Sequence, residues 1–198
     1  MVVKPAPQTP LTALALHVLA ERSGLPPGVL NTLTGSIESS RKIGAAICQS
    51  HTVRALSFTG STAAGISLAQ QAASTVKKVS LELGGNASFI VFDDADIDRA
   101  VQGALAAKFR NSGQTCVCAN RIFVQDGIYD AFAKRLAEKV AGMTVGAGTN
   151  DGVDQGPLID QQDSKKSVAM SKTRLLTVPM LWLVANRIVL AEHFSNQP

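Results

Sequence analysis

Two side chains in this sequence could carry acyl chemistry through sulfur. Cys116 closes the tetrapeptide Gly113-Gln114-Thr115-Cys116, and Glu82 lies upstream in Leu81-Glu82-Leu83-Gly84-Gly85. A cysteine attacks a carbonyl carbon as its thiolate, and a loop rich in Gly, Ser and Thr offers backbone N–H donors that favour the thiolate and hold an oxyanion. A carboxylate base can then take a proton from the water that releases the acyl group. Each residue also has a plainer reading. A loop cysteine is commonly a small buried side chain, and Glu82, which shares the polar face of an alternating strand with Ser80, reads equally as a solvated or ion-paired carboxylate.

Gly60-Ser61-Thr62-Ala63-Ala64-Gly65 falls between an apolar strand and a helix. Its amides could face a phosphate with the helix dipole behind them. The spacing departs from G-x-G-x-x-G, and a tight turn with Ser61 as helix cap accounts for the same residues. Cys118, two residues past Cys116, is close enough for a small strained disulfide that would silence the nucleophile; the alternative is a spectator thiol packed beside the loop. A Cys-x-Cys metal site lacks further ligands, because His17, His51 and His193 have no ligand-like spacing, and no metal is expected.

The elements that must position these groups follow from periodicity. Leu11, Leu14, Ala15, Val18 and Leu19 predict a helix from Pro10 to about Arg22, stopped by Gly24 and Pro26-Pro27. Val29 to Leu33 reads as a short strand, Glu38 to Cys48 as a helix, and Val53 to Phe58 as a strand. A helix from Ser61 to Ala73 and an alternating strand from Lys77 to Leu83 follow. Beyond the Gly84-Gly85 hinge, Phe89 to Phe92 is an apolar strand and Ile97, Val101, Ala104, Leu105 and Phe109 stripe a helix. After the Cys116 loop come a strand from Arg121 to Gln125 and a helix holding Ile128, Phe132, Leu136 and Val140. Strands alternating with helices predict an α/β fold with a mostly parallel sheet.

Composition narrows the function class. The chain has 198 residues, 45% apolar and 17% charged, an ordinary balance for a globular protein. Its formal charge of +4 is scattered and aromatics are only 5%, which argues against a nucleic-acid partner. Three cysteines (Cys48, Cys116 and Cys118) make no disulfide framework, and the N-terminus lacks the pattern of a secretory leader, so a cytoplasmic location is expected. The apolar stretch near 175–190 is interrupted by Pro179, Asn186 and Arg187, so no membrane partner is expected.

Val3-Lys4-Pro5-Ala6, Phe58-Thr59-Gly60-Ser61, Leu81-Glu82-Leu83-Gly84-Gly85 and Gly113-Gln114-Thr115-Cys116, in this order and spacing, resemble the aldehyde dehydrogenase superfamily. Within it, the run from Lys108 to Arg121 is similar to the succinate-semialdehyde dehydrogenase branch. The resemblance covers about Val2 to Gln162 and implies a partial aldehyde dehydrogenase fold. Residues 1–84 would be the second half of a Rossmann-like dinucleotide-binding domain, and 85–162 the start of a catalytic domain.

The resemblance also implies roles. Cys116 would attack the aldehyde to give a thiohemiacetal, hydride would pass to a nicotinamide cofactor, and Glu82 would activate water against the remaining thioester. The Cys116 amide would supply one oxyanion donor. Arg110 would clamp the distal carboxylate of succinic semialdehyde, with an ordinary helix-end salt bridge as its alternative. Lys4 matches the lysine that reaches the adenosine ribose, and Ser61 the hydroxyl beside the pyrophosphate. Pro5, Ala6, Gly60, Gly65 and Leu83 complete the cofactor-binding set. Pro7 stands where many NAD-preferring members carry a glutamate that would repel a 2′-phosphate, so the expected cofactor is NADP, with NAD as the alternative.

The chain departs from the family at both ends. The asparagine expected to supply a second oxyanion donor would precede Met1, and the glutamate that grips the nicotinamide ribose would follow the family-like segment. The parent family is homo-oligomeric, but this chain by itself is expected to be inactive. The rival reading is a non-catalytic fragment that binds nucleotide or pairs with another subunit. Residues 163–198 form an atypical tail, and a possible coding DNA for Thr177 to Pro198, read two bases out of phase, permits a family-like continuation, so a frameshift near 160–175 is expected.

Overall fold

The computed structural model describes residues 1–161 and residue 165. In order, its elements are β1 (Val2–Val3), α1 (Leu11–Arg22), β2 (Asn31–Thr32), α2 (Ile37–Gln49), β3 (Ala55–Thr59), α3 (Thr62–Ala73), β4 (Lys78–Glu82), β5 (Ala87–Val91), α4 (Ile97–Phe109), a short 3-10 turn (Arg110–Gly113), β6 (Ala119–Val124) and α5 (Asp126–Ala141). The chain divides into two compact units, Met1–Gly84 and the part from Gly85 onward.

Side-chain caps start the central helices where the sequence places polar residues. Ser36 Oγ accepts from the Ser39 amide at 3.2 Å, Ser61 Oγ from the Ala64 amide at 3.3 Å, and Asp96 Oδ1 from the Arg99 amide at 3.0 Å. Each bond satisfies a first-turn N–H that has no partner within its own helix.

In the first unit, β1 pairs in parallel with β2, and β3 with β4 from Ala55↔Lys78 to Thr59↔Glu82. Helix α2 packs on α3, with Cys48 and Ala72 wholly buried. The Lys77 ammonium donates to the carbonyls of Ser50 and Val53, placing a cation just past the C-terminal end of α2, where the helix dipole favours it.

In the second unit, β5 and β6 are again parallel, from Ala87↔Ala119 to Val91↔Val124 with an irregularity after Ala87. Their inner side chains pack on α4 and α5 around Val91, Val101, Ala104, Phe132, Leu136 and Val140. The helical stripes of the sequence therefore face one core, and Phe132 is 2% exposed at its centre.

Two differences from the sequence reading have local causes. The strand expected from Val29 to Leu33 is only Asn31–Thr32, because Val29 closes a turn onto the Pro26 carbonyl and Gly28 adopts φ +84°. Strand β1 was not foreseen, since two residues carry no periodicity. All strand pairing among the described residues is parallel, as the βα alternation implies. The expected tail, 163–198, lies outside the described residues apart from residue 165, and so does the apolar stretch near 175–190. No helix among the described residues is long and apolar enough to cross a membrane.

Val76, in the turn between α3 and β4, has φ +52° and is 91% exposed. A β-branched side chain in the left-handed region is strained by roughly 1–2 kcal/mol. Val76→Asn, which tolerates that region, is expected to raise unfolding stability by about 1 kcal/mol. An unchanged or lower urea midpoint would show that Val76 carries no removable strain.

Candidate functional site

The loop bearing Cys116 begins with an unusual run of backbone. Asn111 (φ +52°), Ser112 (φ +55°) and Gly113 (φ +75°) are all left-handed. Asparagine and glycine adopt this region readily, whereas Ser112 is strained there. The surroundings hold the run in place. Ser112 Oγ donates to the Gly156 carbonyl at 3.1 Å, and the Asn111 carbonyl accepts from both the Gln114 amide (3.1 Å) and Gln114 Nε2 (3.2 Å). Gln114 Oε1 in turn accepts from the Ile159 amide at 2.9 Å, so one side chain ties the loop to the 156–159 segment.

A tight turn follows, closed by the Cys118 amide on the Thr115 carbonyl at 3.2 Å. Cys116 and Val117 form its apex and are exposed; Cys118 forms its foot and is 1% exposed. The Cys118 thiol lies 2.8 Å from Thr115 Oγ1 and 3.7 Å from the Arg110 carbonyl. All three cysteines are free, and Cys118 is packed beside the loop. The Cys116 amide has no acceptor among the described residues, which leaves it available to an oxyanion.

Gly85 sets the position of the apex from the other side. A Cβ at Gly85 would lie 2.5 Å from the Cys116 carbonyl oxygen, so only glycine permits this approach. Asn120 Nδ2 donates to the Gly85 carbonyl at 3.4 Å and receives Lys108 Nζ on its Oδ1 at 2.9 Å. The sequence reading singled out neither Gly85, Gln114 nor Ser112 as a site residue. The Gly-Gly pair and the residue two before Cys116 were the signals available.

Arg110 sits at the C-terminal end of α4, exposed, six residues before Cys116. No ion pair between described residues involves it, so the helix-end salt bridge is not formed among them.

The cofactor candidates and Glu82 belong to the first unit, Cys116 and Arg110 to the second. Lys4 follows β1 and donates through Nζ to the Pro5 carbonyl; Pro5 and Pro7 are half-buried and Ala6 exposed. Glu82 ends β4 with its side chain exposed, and its carbonyl accepts from the Gly60 amide at 3.0 Å. Gly65 is buried against Leu83, whose Cδ2 would meet a Cβ there at 2.5 Å, so this glycine lets α3 approach the chain after β4. Ser61 caps α3, leaving the Thr62 and Ala63 amides without acceptors among the described residues, and the first turn holds no acidic side chain. That terminus suits a phosphate, since free N–H groups and the helix dipole face it and no carboxylate competes.

An exposed cysteine at a turn apex, an unpaired amide beside it and an anion-ready helix start fall within one match. The model of the aldehyde dehydrogenase family matches residues 1–174. This chain belongs to the aldehyde dehydrogenase family. Among its relatives, the succinate-semialdehyde dehydrogenase [NADP(+)] of Escherichia coli is 59% identical over 162 residues, 82% of this chain and 33% of that enzyme. The 3-sulfolactaldehyde dehydrogenase of Pseudomonas putida is 58% identical over 166 residues, 84% of this chain and 34% of that enzyme. The crystal structure of succinate-semialdehyde dehydrogenase from Burkholderia pseudomallei superposes with a TM-score of 0.84 at 54% identity, covering 88% of this chain and 36% of that one. The chain thus spans about a third of the length of the curated relatives it matches.

Burial pushes the Cys48 thiol above its ordinary pKa, against a smaller opposing pull from Lys77. Iodoacetamide should therefore modify Cys116 in the folded chain and spare Cys48 and Cys118, as read by peptide mass spectrometry. Gly85→Ala forces the Cys116 carbonyl to move; it should cost about 1–3 kcal/mol of stability and open Cys118 to the reagent. An unchanged midpoint with Cys118 still silent would mean that the loop absorbs the methyl group.

Proposed function

We propose that this chain carries the nucleophile, base and cofactor cradle of an NAD(P)-dependent aldehyde oxidoreductase acting on a small aldehyde with a distal anionic group, most like succinic semialdehyde. The observation that carries this reading is Cys116, exposed at the apex of a turn whose foot is buried, with its own amide unpaired. An aldehyde carbon approaching that sulfur places its oxygen where the amide can hold developing negative charge. The nicotinamide, when bound, supplies a hydride acceptor. Glu82, exposed at the end of β4, is the base that takes a proton from the water cleaving the Cys116 thioester. Within the same reading, Met1–Gly84 is part of a dinucleotide-binding domain and the segment from Gly85 to about 162 is the start of a catalytic domain.

Arg110 supports the anionic substrate class. Its exposed guanidinium can take a carboxylate in a two-pronged hydrogen-bonded pair. The substrates for which the two relatives are named, a semialdehyde of succinate and a sulfonated lactaldehyde, both carry an anion away from the aldehyde. The cofactor we assign is NADP: Pro7 offers no carboxylate to repel a 2′-phosphate, and the Escherichia coli relative is named for NADP(+). A thiolate nucleophile needs a reduced Cys116, which places the reaction in a reducing compartment such as the cytoplasm.

The test is NADPH formation from succinic semialdehyde by the purified chain, alongside nucleotide binding followed by NADPH fluorescence. Turnover abolished by Cys116→Ala supports the reading. Nucleotide binding without turnover is the outcome expected of this chain by itself and assigns it to binding alone, whereas a chain showing neither binding nor turnover overturns the reading. Where turnover is present, Arg110→Ala should remove the advantage of succinic semialdehyde over an uncharged aldehyde, a loss of about 1.5–3 kcal/mol in kcat/KM.

A separate outcome concerns the cofactor. Pro7→Glu should shift binding from NADPH towards NADH by about tenfold, roughly one charge repulsion near the surface. Equal affinities before and after the change would remove Pro7 from the selectivity argument.

A further inference from the structure

Gln114 uses both ends of its amide on main-chain partners. Its Nε2 donates to the Asn111 carbonyl at 3.2 Å, and its Oε1 accepts from the Ile159 amide at 2.9 Å. One partner is an acceptor and the other a donor, so a single orientation of the side chain serves both. A glutamate of the same size keeps the bond to Ile159 and sets an oxygen against the Asn111 carbonyl. A methionine of similar length has no N–H to give and only a weakly accepting sulfur.

Ile159 is itself tied back to the core. Helix α5 is fixed there by Phe132, Leu136 and Val140. Just beyond it the Thr144 amide donates to Asp154 Oδ2 at 2.9 Å, and the Thr144 carbonyl accepts from the Asp154 and Gln155 amides at 2.9 and 3.1 Å. The Gly146 amide adds a bond to the Gln155 carbonyl at 3.0 Å. These bonds close the 144–155 segment on itself, and the chain leaving it meets Ser112 at Gly156 and Gln114 at Ile159. A strut therefore runs from α5 to a side chain two residues before Cys116. The loop's other end starts from α4, whose Val101 and Ala104 lie in the same core. Between the two anchors stand the left-handed residues Asn111, Ser112 and Gly113, which hold that conformation only while their surroundings fix it.

We propose that Gln114 is a positioning residue for Cys116. By pinning the run from Asn111 to Gly113 against the 156–159 segment, it sets how the Cys116 sulfur and the Cys116 amide stand towards one acyl carbon, without touching substrate. The inference rests on the reading of Cys116 as nucleophile and its amide as oxyanion donor, and adds a residue to it. Attack on a carbonyl needs sulfur and amide in register, because the sulfur bonds the carbon while the amide receives the oxygen. Displacement of iodide from iodoacetamide needs only an accessible thiolate. Two reactions at one sulfur thus separate positioning from exposure.

The test treats the full chain with p-nitrophenyl acetate, which transfers its acetyl group to sulfur and releases p-nitrophenolate, and in parallel with iodoacetamide. Peptide mass spectrometry confirms Cys116 as the site. The ratio of acylation to alkylation rates in the wild type should exceed that of N-acetylcysteine at the same pH by about tenfold, part of the worth of one well-placed donor. In Gln114→Met and Gln114→Glu that gain should be lost through slower acylation, with alkylation changed by less than about twofold. Lowering the pH through the carboxyl range should restore the ratio in Gln114→Glu alone, since the protonated acid regains a donor for the Asn111 carbonyl. Gln114→Glu also decides the matter if Gln114→Met fails to fold. A wild-type ratio equal to that of N-acetylcysteine would sink the nucleophile reading and this inference with it. A raised wild-type ratio that the variants keep, or acylation and alkylation that shift together, would overturn the role of Gln114 alone.

Discussion

The burial of one thiol sets the geometry of the other. Cys118 is held at the foot of a tight turn by Thr115 and the Arg110 carbonyl, and a turn whose last residue points inward must lift its middle residues outward. Cys116 is one of those middle residues. Its exposure, its free amide and the contact of its carbonyl with Gly85 all follow from where Cys118 sits. Placing a small apolar sulfur in the core stabilises the fold, and the presentation of Cys116 comes with it.

The strain before Cys116 has a matching support. Three left-handed residues in succession persist only if the surroundings over-determine them, and here two side chains do so: Ser112 and Gln114 reach the 156–159 segment. The loop is therefore braced from two sides, by Gly85 at the apex and by a distant stretch of chain at its base. Precision of about this kind is what a nucleophile needs, since small displacements cost a large part of the advantage of a positioned reactant.

Within the first unit the candidate residues share another logic. Lys4 follows β1, Gly60 and Ser61 follow β3, and Glu82 and Leu83 close β4. In open parallel sheets the C-terminal ends of strands are where ligands bind, because each strand there turns into a loop and then a helix start. Ser61 serves both purposes: its side chain caps α3 while the next two amides stay free.

Most of the architecture was legible in local pattern. Apolar spacing located α1, α4 and α5, Ser61 announced the start of α3, and strand–helix alternation implied parallel pairing; the motifs around Glu82 and Cys116 led to the family now shown by the match over residues 1–174. These features depend on residues within a turn or a strand of one another, so sequence order carries them. Tertiary structure alone decided that Cys118 faces in while Cys116 faces out, that Gly85 approaches the Cys116 carbonyl, and that Gln114 bonds Ile159 across 45 positions. The last two are set by chain that arrives from far along the sequence. Local periodicity has no term for which distant segment fills a given space, and packing does.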